Sequence, residues 1–245
     1  MLRNGAGRAE GTVDRIVSAG DVSLHYRETG EPDGLPVVAV HGHPGTAAGW
    51  DEAAALVCAA GRYRFLAVTL RGYGSSDRVG PYSFERFSDD VFAFASALGV
   101  ERFVLLGHSM GGAVASLAAT REPDRLLGLV LEDSVLPREG TTLKVPERPE
   151  TEPPPYDWDL APAIFGQLER PDPGWWPALA RITAPTLVIA GGCTSHVPQD
   201  LLAEAAEQIS GAALVTLEGA GHSVHRTEPE RFAATLTGYL SRRVR

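Results

Sequence analysis

Apolar and polar positions along the chain fall into two alternating kinds of segment. Residues 37–40, 65–70, 103–106, 126–131 and 185–190 are short apolar runs without alternation, the pattern of strands buried on both faces. Residues 213–217 form a further expected strand. Residues 13–19 and 22–28, joined at Gly20-Asp21, read as an opening hairpin. Helical patterns lie between these runs, at 50–60, 83–98, 113–119, 199–208 and 229–240. The clearest is 83–98, where Phe84, Phe87, Val91, Phe94 and Leu98 keep a three-or-four spacing and Gly99 follows. Strands alternating with helices predict an α/β fold, a mostly parallel sheet with helices on both faces. Right-handed crossovers then align the strands' C-terminal ends along one edge, where sites form.

The alternation breaks between 137 and 181. Pro146, Pro149, Pro153, Pro154, Pro155, Pro171 and Pro173 exclude a central strand there. This stretch reads as an insertion with helices at 159–169 and 174–180. The expected organisation is a tail at 1–12, a core at 13–136 and 182–245, and an insertion at 137–181, without internal repeats.

A chain of 245 residues with a formal charge of −9 argues against nucleic acid and against an anionic membrane surface as partners. No run reaches the length of a membrane-spanning helix, and Met1 to Arg8 lacks the apolar core of a signal peptide. Cys58 and Cys193 form no metal or redox spacing. The expectation is a cytoplasmic protein with reduced thiols, acting on a small molecule.

The chemistry concentrates after the strand at 103–106. Gly107-His108-Ser109-Met110-Gly111 is a G-x-S-x-G turn between an apolar strand and a small-residue helix. Such a turn strains the serine backbone and projects its hydroxyl above the sheet. A serine needs a base within hydrogen-bond reach, and histidine suits that role near neutral pH. Of the seven histidines, His222 lies in a glycine-rich loop after the last expected strand, downstream of the serine. His225 is the nearby rival. His41 is expected to brace its own loop, His108 to point beneath the serine, and His25 and His196 to be ordinary surface or strand residues.

These residues resemble the α/β-hydrolase family. The resemblance rests on His41-Gly42-His43-Pro44-Gly45, on Arg71-Gly72-Tyr73-Gly74-Ser75-Ser76-Asp77, on the serine turn and on Gly219-Ala220-Gly221-His222. It implies an eight-stranded sheet with one antiparallel strand and a cap inserted after the sixth strand, matching 137–181. It also implies a serine nucleophile, Ser109, with His222 as base and the backbone N–H groups of Met110 and His43 as an oxyanion hole. Pro44 has no N–H to offer. Serine at this position argues against the dehalogenase and epoxide-hydrolase branches, whose nucleophile is aspartate. Arg71 is expected to be structural.

The third member of such a triad orients the imidazole. Its usual place in the family is the loop after the seventh strand. Here that loop is Gly191-Gly192-Cys193-Thr194-Ser195-His196-Val197-Pro198, without a carboxylate. The family's other place is the end of the sixth strand, where this chain has Glu132-Asp133. Alternation lets only one of them face the site. Asp133 is the expected acid, with Glu132 and Asp200 as alternatives; Asp200 also fits a helix cap. Trp158, Phe165, Trp175 and Trp176 in the insertion either line an apolar pocket or dock the insertion on the core. The resemblance implies an esterase-type serine hydrolase with no metal and no organic cofactor. A lactonase, thioesterase, C–C hydrolase or cofactor-free perhydrolase could share the constellation, and so could a ligand-binding receptor.

Overall fold

The computed structural model describes residues 11–140, 145, 147–148, 150–151 and 154–244. The expected tail at 1–12 and several of the insertion's prolines fall largely outside the described residues. The elements are, in order, β1 (Val13–Ala19), β2 (Val22–Gly30), β3 (Leu35–Val40), α1 (Asp51–Ala59), β4 (Tyr63–Val68), α2 (Phe84–Ala97), β5 (Phe103–His108) and α3 (Met110–Arg121). They continue with β6 (Leu126–Glu132), α4 (Leu160–Glu169), α5 (Trp175–Ala178), β7 (Thr186–Ala190), α6 (Gln199–Gln208), β8 (Ala213–Thr216), α7 (Val224–Thr227) and α8 (Pro229–Arg243).

The strands form one eight-stranded sheet in the order β1-β2-β4-β3-β5-β6-β7-β8, in which β2 alone runs antiparallel to its neighbours. β4 lies on one side of β3 and β5 on the other, so the winding reverses between β3 and β5. Such a reversal opens a crevice at the strands' C-terminal ends.

Alternation along β3 explains why both faces are covered. Val38 and Val40 join the core beneath α2, α3 and the inserted helices, while Val37 and Ala39 join the core beneath α1 and α8. Ser83 caps α2, its hydroxyl accepting the Arg86 N–H at 3.1 Å. β4 ends at Val68, two residues before its apolar run does. Thr69 still donates its N–H to the His25 carbonyl of β2, but Leu70 donates its N–H to His41 Nε2, which takes it out of the ladder. α7, a single turn, carries no periodicity and was not expected.

The segment between β6 and β7 is tied to the loop after β4. Tyr156 bridges Tyr73, Gly74 donates to the Pro155 carbonyl at 3.1 Å, and Asp157 donates to the Gly72 carbonyl at 2.7 Å. Its residues Leu160, Ile164 and Leu168 are buried in the same core as α2 and α3. Arg71 is fully buried and grips both Asp90 oxygens at 2.5 Å, with Asp21 at 3.0 Å. Among the described residues no helix is long and apolar enough to cross a membrane.

Candidate active site

β5 ends at His108 and α3 begins at Met110, so Ser109 alone makes the turn, at φ 54° and ψ −120°. A non-glycine residue at positive φ is strained and persists only where its surroundings fix it. Here the Ser109 N–H donates to the Glu132 carbonyl at 3.0 Å, and the Ser109 carbonyl accepts from Gly112 at 2.9 Å and Val135 at 3.2 Å. The turn also requires backbones in direct contact. A Cβ on Gly107 would strike the Gly111 carbonyl, and one on Gly111 would strike the carbonyls of Val40 and His41.

His222 stands between Ser109 and Asp133. Its Nδ1–H donates to Asp133 Oδ2 at 2.8 Å, which leaves Nε2 to accept the Ser109 hydroxyl at 3.0 Å. Ser109 and Asp133 are buried, whereas the His222 side chain is 22% exposed. The structure therefore brings together the three residues singled out in the sequence.

Asp133 follows β6 at φ 39° and is completely buried. Oδ1 accepts the Gly191 N–H at 3.0 Å and the Gln199 side-chain amide at 3.2 Å. Oδ2 accepts the Ser195 hydroxyl as well as His222. Burial works against the charge, and these four donors outweigh it, holding the carboxyl below the usual carboxylate range. The loop after β7, which lacks an acid, thus supplies donors to the acid of β6. Ser195 and Gln199 were not expected from sequence. The signal available was polar side chains just ahead of and within the first turn of α6, at the edge where the site lies. Asp200 bonds elsewhere, its Oδ1 accepting the Leu201 N–H in the first turn of α6.

Glu132 points to the other side of β6 and has its own histidine. Its oxygens accept the His225 Nδ1–H at 2.8 and 2.9 Å, and Oε1 also accepts the His225 main-chain N–H at 2.8 Å. Trp50 stacks on the His225 ring at 4.1 Å. Burial opposes the Glu132 charge, and the fields of His225 and His108 overcome it, lowering the pKa. His108 donates Nε2–H to the His222 carbonyl at 2.9 Å. His108, Glu132 and His225 bring one ligand-type atom each within 4.8 Å of one another. His225 Nδ1–H is given to Glu132 and His108 Nε2–H to the His222 carbonyl.

His41 braces its loop as expected, donating Nδ1–H to the Gly42 carbonyl at 2.9 Å. Burial pushes the pKa of His41, His43 and His108 down to about 4. His196 is exposed, as expected, but its ring lies 4.1 Å from the His222 ring, and desolvation followed by the field of His222 lowers its pKa. A cavity of about 220 Å³ reaches His222 from the Trp50 side, lined also by His43, His108, His225 and Arg226.

Met110 is the first residue of α3, where helix N–H groups have no intrahelical acceptor. The His43 ring contacts Tyr156 at 4.6 Å and Phe165 at 5.4 Å, and its Nδ1 meets the Tyr73 hydroxyl at 2.9 Å. Trp158 stacks on Tyr156 at 6.3 Å. Trp175 packs against the core, its N–H donating to the Ser116 hydroxyl at 3.3 Å and its ring edge-on to Phe84. Trp176 lies beneath the Arg138 guanidinium at 5.2 Å.

The sequence profile described as the alpha/beta hydrolase family matches residues 37–235. A non-heme chloroperoxidase of Streptomyces lividans is 36% identical over 124 residues, covering 50% of this chain and 45% of that one. The chain thus matches less than half the length of that relative. An sn-1-specific diacylglycerol lipase of Mus musculus is 27% identical over 251 residues, covering 84% of this chain and 80% of that one. Among solved structures, a thermophilic esterase from Thermogutta terrifontis is 26% identical, with a TM-score of 0.78 over 96% of this chain and 99% of that one.

Proposed function

The chain belongs to the alpha/beta hydrolase family, and from that premise we propose that it is a serine hydrolase cleaving an ester-type bond through an acyl-enzyme. The observation that carries this reading is His222, hydrogen-bonded at once to Ser109 at 3.0 Å and Asp133 at 2.8 Å. In the proposed reaction Ser109 Oγ attacks the carbonyl carbon as its proton passes to His222 Nε2. The carbonyl electrons move to oxygen, where the N–H groups of Met110 and His43 receive the developing charge. Asp133 remains ionised and stabilises the imidazolium. Collapse of the tetrahedral species expels the alkoxide, which takes the proton from His222. Water then attacks the acyl-enzyme, with His222 as base, and restores Ser109.

The segment at 137–181 serves as a cap in this reading. Tyr156, Trp158 and Phe165, grouped around His43, form an apolar wall for the acyl or alcohol part. A fluorophosphonate label, followed by p-nitrophenyl esters of rising chain length, tests the proposal. A Ser109 adduct with turnover supports it, and absence of the adduct contradicts it. Labelling without turnover favours a narrow specialist or a receptor.

The chloroperoxidase relative favours a second reading. Hydrogen peroxide would replace water on the same acyl-enzyme, releasing a peracid that oxidises halide. Bromination of monobromodimedone in peroxide, acetate and bromide distinguishes this from plain hydrolysis.

A further inference from the structure

We propose that Glu132 and His225 form a second carboxylate–histidine pair that holds His222 in register with Ser109, a positioning role resting on the serine-hydrolase reading above. β6 runs out in two consecutive acids that diverge to opposite sides. Asp133 takes His222, and Glu132 takes His225, three positions further along in α7, the helical turn that follows the His222 loop. That loop needs holding, because Gly219 and Gly221 sit in it at φ +80° and +72° and lend it little stiffness. Its grip comes from both sides of His222. His108 donates to the His222 carbonyl, and Glu132 binds the main chain and ring of His225.

Glu132 also reaches the nucleophile, since its carbonyl accepts the Ser109 N–H at 3.0 Å. One residue therefore bonds to the turn that carries Ser109 and to α7, the helical turn directly after the loop that carries His222. The separation of Ser109 and His222 is set through it. A buried carboxylate–histidine pair is not needed for stability alone, because apolar side chains of similar volume usually serve as well. Trp50 stacked on His225 fixes the ring plane. Acyl transfer depends steeply on the placement of base and nucleophile, which is the property this pair controls.

The test separates positioning from mere structure by replacing both partners together, Glu132→Leu with His225→Phe. The double variant is expected to melt near the wild-type temperature. Its KM for a p-nitrophenyl ester should change less than about twofold, while kcat and the fluorophosphonate labelling rate of Ser109 fall about tenfold. His225→Asn keeps an N–H close to the Nδ1 position and should stay within about threefold of wild type. Wild-type kcat in a stably folded double variant overturns the proposal. Should the double variant not fold, Glu132→Gln carries the same test. It keeps an acceptor for the His225 main chain, and kcat lowered about threefold or more at unchanged KM supports the pair, whereas unchanged kcat overturns it. If wild-type Ser109 takes no label, the serine-hydrolase reading falls and this inference falls with it. If wild type and variants label at equal rates, only the positioning role falls.

Discussion

Ser195 donates its hydroxyl to Oδ2 of Asp133, the same oxygen that accepts the Nδ1–H of His222. Ser195 is itself aimed by the Val197 N–H, which donates to its oxygen at 3.0 Å. The serine both fixes the carboxylate and draws on the charge that an imidazolium at His222 would use. Ser195→Ala removes one of the four donors that hold the Asp133 carboxyl low, so the Asp133 pKa should rise from its lowered value. Three donors remain on the carboxylate, so kcat should fall less than about tenfold. A loss of about a hundredfold or more in steady-state kinetics contradicts this.

Asp133 and Glu132 are ranked by their partners. Asp133→Asn should lower kcat by roughly 10²–10⁴, the size of a wrong-tautomer effect. Glu132→Gln should cost about tenfold or less, because its side chain reaches His225 and not His222. Steady-state kinetics on the two single variants gives the order, and the reverse order would make Glu132 the acid.

Three desolvated histidines, His41 and His108 buried and His43 half-buried, set an acid limit on stability. In the folded chain His41, His43 and His108 have pKa values of about 4, against 6.5 for the free side chain. The unfolded chain therefore takes up protons first as pH falls. The contribution is complete above the unfolded value and is lost between there and the folded one. At pH 5 the combined loss is about 4–6 kcal/mol. The melting temperature should drop by at least about 6 °C between pH 7 and pH 5. A flat profile over that interval would show the three rings to be titrating normally.

The aromatics of the inserted segment divide into two groups. If Phe165 lines the pocket, Phe165→Ala should raise KM most for long acyl chains, since apolar binding is lost while Ser109 and His222 are untouched. Trp175 packs on Phe84 and Ser116, so Trp175→Ala should lower the melting temperature and affect acetate and octanoate esters alike. Equal chain-length dependence in both variants would put the two residues in one role.

Local pattern accounts for what could be read from the chain. Unalternating runs marked the strands buried on both faces, and the glycines around Ser109 marked a turn where backbones touch. What stayed hidden depends on pairings between distant residues. Glu132 meets His225 across 93 positions, and Ser195 and Gln199 meet Asp133 across 62 and 66. The strand alternation separating Glu132 from Asp133 was legible, but the histidine waiting for Glu132 was not. His196 is the surface residue that its loop suggests, but nothing in that loop reveals that His222 lies alongside it. Leu70 extended an apolar run, yet His41 draws its N–H out of the sheet.

The central claim is that Ser109 forms the covalent intermediate. Intact-protein mass spectrometry after fluorophosphonate treatment, on wild type and Ser109→Ala side by side, tests it most directly. The account predicts a single adduct in the wild type, mapped to Ser109, and none in Ser109→Ala, with kcat lowered by several orders of magnitude and the fold intact. An adduct of the same mass on folded Ser109→Ala, with ester turnover preserved, would contradict it.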